Sequence, residues 1–262
     1  MIMVKKAFIL IIFITIAAFT WEFISLIIYL LIGVLIFWQV ASILISVASL
    51  LLRFFFIDIE KFSSIITETD LYSKKRLLKS KRFLNLMPTA MVTCTLADII
   101  IPFSFITGML IFLIAQLLTI LAFSGIVHIN PKIAFSGKNK YLSIISTVGI
   151  VVIIFFIYLT LLYSSEDFTT ILIIPYIVVL IIMVIITYIG LGYNSRSLRF
   201  RLVLCLGATL FLISDAILAY NRFNTPINYS HLWIGGLYFL AIFFLQFAML
   251  FLNSKIKRIE GD

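Results

Sequence analysis

Gly207-Ala-Thr-Leu-Phe-Leu-Ile-Ser-Asp-Ala-Ile-Leu-Ala-Tyr-Asn-Arg-Phe223 is an apolar run with one carboxylate, Asp215, set inside it. A run this apolar, free of proline, predicts a helix that sits in hydrocarbon. An ionisable side chain at that depth is costly and, where present, is by default a functional group. Thr93-Cys-Thr-Leu-Ala-Asp-Ile-Ile-Ile101 repeats the arrangement around Asp98. These two acids are the chemistry this sequence puts forward.

The rest of the chain agrees with a membrane setting. Hydrophobic residues make up 63% of the sequence and the mean hydropathy is +1.23. A soluble domain cannot hide that much apolar surface, so an all-α, polytopic membrane bundle is expected. The net charge of +9 is accounted for by topology, below, and does not call for a nucleic-acid partner. Cys94 and Cys205 fall on different predicted helices at depths about 12 Å apart, too far for a disulfide. Both His residues lie in predicted loops, which argues against a metal site, and no sequence motif calls for a cofactor.

Eight apolar segments are expected, at roughly 7–20, 23–52, 83–101, 103–127, 141–163, 168–193, 198–220 and 229–252. The first, preceded by Lys5 and Lys6, has the look of a signal-peptide core. No small-residue cleavage site follows it, and Trp21-Glu22 reads as an interfacial turn, so it is taken as a span. The hydrophilic stretch 58–82 reads as the one long loop. Its Lys74-Lys-Arg-Leu-Leu-Lys-Ser-Lys-Arg82 cluster is a topology determinant first and a site for anionic lipid second. Of the 20 Lys and Arg residues, 19 fall in alternate loops. The excess of such residues in cytoplasmic loops then places both termini in the cytoplasm of an eight-span protein. A multi-pass protein of the plasma or inner membrane is expected if the source is bacterial. It would form a single integral domain, 1–262.

The segments carrying Asp98 and Asp215 both run outward, and each is followed by a returning segment with Gly and aromatic residues. These are Gly108-Met-Leu-Ile-Phe112 and Gly235-Gly-Leu-Tyr-Phe239. A parallel repeat of two four-helix halves gives that pattern. Counted from the expected helix ends, both acids lie about 5–8 Å below the outer edge, which would let the bundle bring them together. Two carboxylates sharing a low-dielectric site resist double ionisation and hold a proton between them. One then donates while the other stabilises a cation or activates water. The bland alternative is a pair of protonated acids bonded across helices as structural glue.

Other candidates are fewer. Gln116, in mid-segment, needs partners if buried; it either glues helices or lines a cavity. Arg222, the sole basic residue of the outer loops, is an interfacial anchor or a ligand for an anionic head group. Tyr238 and Trp233 fit an aromatic belt as well as a site.

The Gly207–Phe223 stretch resembles the signature of the YhhN-type lysoplasmalogenase family, roughly G-A-x-L-F-x-x-S-D-x-x-L-A-x-x-x-F. Leu96-Ala-Asp98 resembles the family's L-G-D, with Ala97 in place of Gly. Gly108-Met-Leu-Ile-Phe-Leu-Ile-Ala-Gln-Leu-Leu-Thr-Ile-Leu-Ala-Phe123 is similar to G-x-x-x-F-x-x-A-H-x-x-Y-x-x-x-F, and Leu237-Tyr-Phe-Leu-Ala-Ile242 to T-Y-Y-x-A-Q. The chain departs from the pattern at positions that bear on the chemistry. Gln116 stands where the family has His, Thr119 where it has Tyr and Ile242 where it has Gln; the second segment lacks a Lys-Pro step. Gln cannot trade a proton as His does.

The resemblance implies hydrolysis of the vinyl ether of a lysoplasmalogen, a single-chain lysophospholipid, without metal or cofactor. Asp98 and Asp215 would be the catalytic pair, and Gln116, Arg222 and Tyr238 would contact the lipid. A different class of function, a proton-coupled transporter or membrane sensor, would use the same acids as a proton or ligand site.

Overall fold

The computed structural model describes residues 2–32, 35–64, 71–126, 141, 144–145, 147–149, 151–152, 168–192 and 196–252. All regular structure among them is helical. The helices are α1 (Ile2–Ile32), α2 (Leu35–Ser64), α3 (Leu71–Ile100), α4 (Phe105–Ile126), α5 (Phe168–Leu191), α6 (Leu198–Phe223) and α7 (Ser230–Ala248), with a closing 3-10 turn, Met249–Phe251. Five helical stretches among the described residues are long and apolar enough to cross a membrane: Ile36–Phe54, Lys79–Ile100, Phe105–Ile126, Leu198–Phe223 and Ser230–Phe251. The expected fifth span, 141–163, lies outside the described residues except for a few helical positions between 141 and 152. The loops 128–140 and 164–167 and the basic residues at 255–258 also lie outside them.

Two boundaries differ from the sequence expectation. Trp21-Glu22 is not a turn: α1 runs through it to Ile32, and α2 begins at Leu35. No glycine or proline stands near Trp21 to break the helix. The stretch 58–82 is not one long loop either, since α2 continues to Ser64 and α3 begins at Leu71. Hydropathy marks the part of a helix that lies in hydrocarbon, not the whole helix. Lys, Arg and Leu are strong helix formers and carry α3 well past its apolar window.

The chain divides into two compact units, Met1–Ile126 and Val127–Asp262. In the first, α1 packs on α2, α2 on α3 and α3 on α4. Its core includes Ile45, Leu52, Leu84, Met87 and Met91, with Phe83 and Phe123 stacked at 6.4 Å. In the second, α5 packs on α6 and α6 on α7, around Met183, Phe200, Leu204, Phe239 and Ile242.

Helix α4 shows the solvent these faces are built for. It exposes Ile106, Leu110, Ile114, Leu117 and Leu121, three or four residues apart, and buries Gly108, Gln116 and Thr119. Past its first turn, where Thr107 is exposed, the exposed residues of α4 are all Leu and Ile, while Gln116 and Thr119 turn inward; such a face suits hydrocarbon and not water.

Close helix contacts fall at two glycines. A Cβ on Gly108 would stand 3.0 Å from the Ile101 Cα, so α4 can fold back tightly across the turn at Ile101–Phe103. Ser104 starts α4, its hydroxyl within 2.8 Å of the Thr107 hydroxyl. A Cβ on Gly207 would stand 3.0 Å from both the Ala241 carbonyl oxygen and the Leu245 nitrogen. Here the α6 and α7 backbones themselves approach, which only a residue without a side chain permits. The Ser197 hydroxyl caps α6, accepting from the Phe200 N–H at 3.2 Å.

Candidate functional site: two carboxylates held by hydroxyls

In the first unit Asp98 is 3% exposed, two residues before the end of α3. Its carboxylate accepts a hydrogen bond from the Ser42 hydroxyl of α2. Thr95, one turn earlier on α3, donates to the Ser42 carbonyl at 2.6 Å, and its hydroxyl also lies 2.6 Å from that of Ser46. Ser46 reaches the Met91 carbonyl at 3.3 Å. The α2 sequence explains the arrangement. Ser42, Ser46 and Ser49 recur at i, i+4 and i+7 and so share one face, with Ala41 and Ala48 fully buried beside them. Small side chains bring α3 close enough for hydroxyls to reach across. Tyr29 of α1 also lies within electrostatic reach of Asp98, and its ring meets Trp38 of α2 edge-on at 5.0 Å.

On α4, Gln116 is buried, and both its amide atoms lack a hydrogen-bond partner among the described residues. Thr119, one position short of a full turn on, turns its hydroxyl back to the Ala115 carbonyl at 2.9 Å. The two positions where the chain departs from the family pattern on this helix are therefore both buried, but only Gln116 has polar atoms to spare.

In the second unit Asp215 is half-buried on α6 and accepts from the Tyr176 hydroxyl of α5. Beside it, Ser214 donates to the Ile234 carbonyl of α7 at 2.9 Å, and Tyr188 and Thr209 join α5 to α6 at 3.0 Å. Phe211, one turn before Asp215, meets Tyr238 edge-on at 5.7 Å. Tyr238 is buried, which removes the aromatic-belt reading for that residue; Trp233, 57% exposed, keeps it. Arg222, near the end of α6, is exposed, about 10 Å along the helix from Asp215.

The two units thus hold their acids in the same way. In each, a hydroxyl on the preceding helix donates to the carboxylate: Ser42 at the eighth position of α2, Tyr176 at the ninth of α5. The equal depth expected from the outer ends does not hold along the helices. Asp98 is two residues, about 3 Å, from the end of α3, while Asp215 is eight residues, about 12 Å, from the end of α6. The discrepancy arises because α6 runs on to Phe223, past the apolar window that set its expected end at 220. Counted from the first residues of the apolar spans, Lys79 and Leu198, the acids lie about 28 and about 26 Å along.

Sequence reasoning missed Ser42 and Tyr176. A signal for the first existed, since three serines at helical spacing in an apolar helix mark a contact face. Tyr176 had none: a tyrosine after Pro175 in an apolar segment is not distinguishable from belt or core. Glu22 was missed because it was assigned to a turn.

The model of the YhhN family matches residues 65–249, a stretch that takes in α3 to α7 and leaves α1 and α2 ahead of it. No curated protein and no solved structure matches the chain.

Proposed function

Because the chain belongs to the YhhN family, we propose that it is a membrane hydrolase of lyso-ether lipids. It cleaves the vinyl ether of a lysoplasmalogen to a fatty aldehyde and a glycerophospho-ethanolamine or glycerophospho-choline, with Asp98 and Asp215 as acid and base. What carries the reading is that both acids of the family pattern sit in apolar helices, each with a hydroxyl donated to it from the helix before.

The chemistry asks for little else. A vinyl ether reacts by taking a proton at its β carbon; the π electrons form the new C–H bond, and the ether oxygen shares the resulting cation. Water adds to the α carbon and gives up a proton. The hemiacetal then breaks its C–O bond: its hydroxyl loses a proton as the C=O forms, and the glycerol oxygen leaves with one. One water is consumed and the proton lent is returned. A protonated carboxyl lends it, and an ionised one faces the cation and receives the proton from water. Glycosidases divide the same labour between two carboxyl groups for a similar cation. Ser42 and Tyr176 keep each carboxylate from turning. Gln116 offers its free amide to a glycerol hydroxyl, Tyr238 an apolar wall, and Arg222 a charge for the phosphate. The topology that goes with this reading has eight spans and both termini in the cytoplasm, as the Lys and Arg alternation requires.

Purified chain in lipid nanodiscs should release long-chain aldehyde from an alkenyl lysolipid, in the ethanolamine or the choline form. Release of aldehyde from neither would remove the hydrolase reading. Proton uptake into sealed liposomes without any aldehyde would favour the transporter instead.

Ser42→Ala and Tyr176→Phe each remove a hydrogen bond to a charged group, an interaction of about 1.5–3 kcal/mol. Each should lower kcat about 10- to 100-fold with KM little changed. Unchanged kcat in both would mean the hydroxyls do not position the acids.

A further inference from the structure

Glu22 is a third carboxyl set in an apolar helix. It is 3% exposed, and its Oε2 has no hydrogen-bond partner among the described residues. Its neighbours on α1, Trp21, Phe23, Ile24 and Ile27, are all at least 41% exposed, whereas Ser25 and Leu26 are buried with it. The glutamate is thus turned to the side of α1 that faces the protein. It precedes residue 65, where the family match begins, so nothing in that match assigns it a role.

Helix register places it near Asp98. α1 ends at Ile32, α2 begins at Leu35 and the two pack, so they run antiparallel. The Tyr29–Trp38 ring contact fixes their level. Four residues from each, about 6 Å along the axis, bring Ser25 level with Ser42. Three more on α1 put Glu22 about 4.5 Å beyond that level, abreast of Ile45 and next to Ser46. Ser42 is the residue that holds Asp98, and Tyr29, two turns from Glu22 on the same helix, is within electrostatic reach of Asp98. The serine face of α2 spans both levels; its last member, Ser49, about 6 Å past Glu22, is fully buried and likewise lacks a partner for its hydroxyl among the described residues. A carboxyl and a hydroxyl left open in an apolar interior are satisfied by water, which bridges buried polar groups two to four at a time.

Few other groups compete for the seam. Among the described side chains, those that titrate or carry charge on the packed helices are these. α1 has Tyr29. α2 has Arg53, bonded to Asn85 at 2.6 Å. α3 has Lys79, Lys81 and Arg82 at its other end, and Cys94 and Asp98. α4 has none.

We propose that Glu22 is a proton-binding residue coupled to Asp98 through water seated along the Ser42–Ser46–Ser49 face, so that the two carboxyls exchange a proton and titrate as a pair. The coupling stands on the geometry of the first unit alone. Its catalytic consequence, that Glu22 returns a proton to Asp98 between turnovers, rests on the hydrolase reading above. There the proton leaves the Glu22 carboxyl, passes along water and ends on the Asp98 carboxylate, and Glu22 is recharged by the proton that the hemiacetal hydroxyl loses as the aldehyde forms.

The test needs no substrate. Full-length protein labelled with carbon-13 glutamate shifts the infrared carboxyl band of any glutamate away from those of the aspartates, and the bands are followed against pH. Glu22→Gln should delete one component of the labelled glutamate band, and Asp98→Asn should move the midpoint of that component; Glu22→Gln should in turn move the midpoint of the aspartate component that Asp98→Asn deletes. Each displacement should be about one pH unit, the scale at which two sites titrate together. A labelled band whose midpoint ignores Asp98→Asn overturns the coupling even if the Glu22 variant does not fold. Given aldehyde release by the native chain, Glu22→Gln should also displace the pH–kcat profile while leaving KM in place. If the midpoints move but no aldehyde appears, the hydrolase reading fails and the coupling stands.

Discussion

Asp98→Asn and Asp215→Asn should each lower aldehyde release by about 10²- to 10⁴-fold, the range over which a positioned acid or base usually acts. The asparagine side chain keeps the volume of the aspartate and still accepts from Ser42 or Tyr176, but it cannot bind or release a proton near neutrality. Packing is therefore conserved while the chemistry is lost. Both variants should elute as the native chain does on size exclusion, and comparison of kcat with KM should put the deficit in kcat. Full activity in either variant, with normal insertion, would take that carboxylate out of the mechanism.

Gly207→Val should cost about 1–3 kcal/mol, as overpacked cores do, read as a fall of several degrees in the thermal midpoint. The added Cβ would meet the Ala241 carbonyl oxygen and the Leu245 nitrogen at 3.0 Å and the Leu245 Cγ at 2.9 Å. The first two are backbone atoms of α7 and cannot swing aside like the tip of a long side chain. The control is Gly236→Ala on α7, where a Cβ has nothing within 4 Å; its midpoint should stay where it was. Equal midpoints for Gly207→Val and the native chain would mean that α6 and α7 do not meet at this glycine.

Composition was enough to read the helical, membrane-embedded character of this chain, because apolar surface in such excess has no other home. Segment ends were legible where a breaker stands near the edge of the apolar window. Pro102 before α4 and Ser197 before α6 kept those starts within two residues of expectation. They were not legible where good helix formers continue into the polar flank, as at Lys74–Arg82, or where a polar residue inside a helix passed for a turn, as at Trp21-Glu22. The two aspartates stood out because carboxylates are rare in apolar runs. Their hydroxyl partners did not, since Ser42 and Tyr176 become notable only once the neighbouring helix is in place. Glu22 shows the cost of a misplaced boundary: a residue assigned to a turn drops out of any list of buried acids. In each half of the chain the helix before the aspartate supplies the donor, and a four-helix repeat would produce that likeness.

Hydrocarbon is an indifferent solvent for a leucine: sliding one apolar helix past another changes little, because lipid tails replace whatever contact is lost. The α2–α3 pair escapes that indifference through three bonds that must all close at once: Ser42 to Asp98, Thr95 to the Ser42 carbonyl, and Ser46 to Thr95. A slip of one residue turns every one of those oxygens by about 100° around its helix. These groups therefore index the two helices as a key indexes a shaft. One residue inserted between Ser42 and Ser46 spoils the alignment, whereas the same insertion in the first turn of α2, before Ser42, leaves all three bonds free to close.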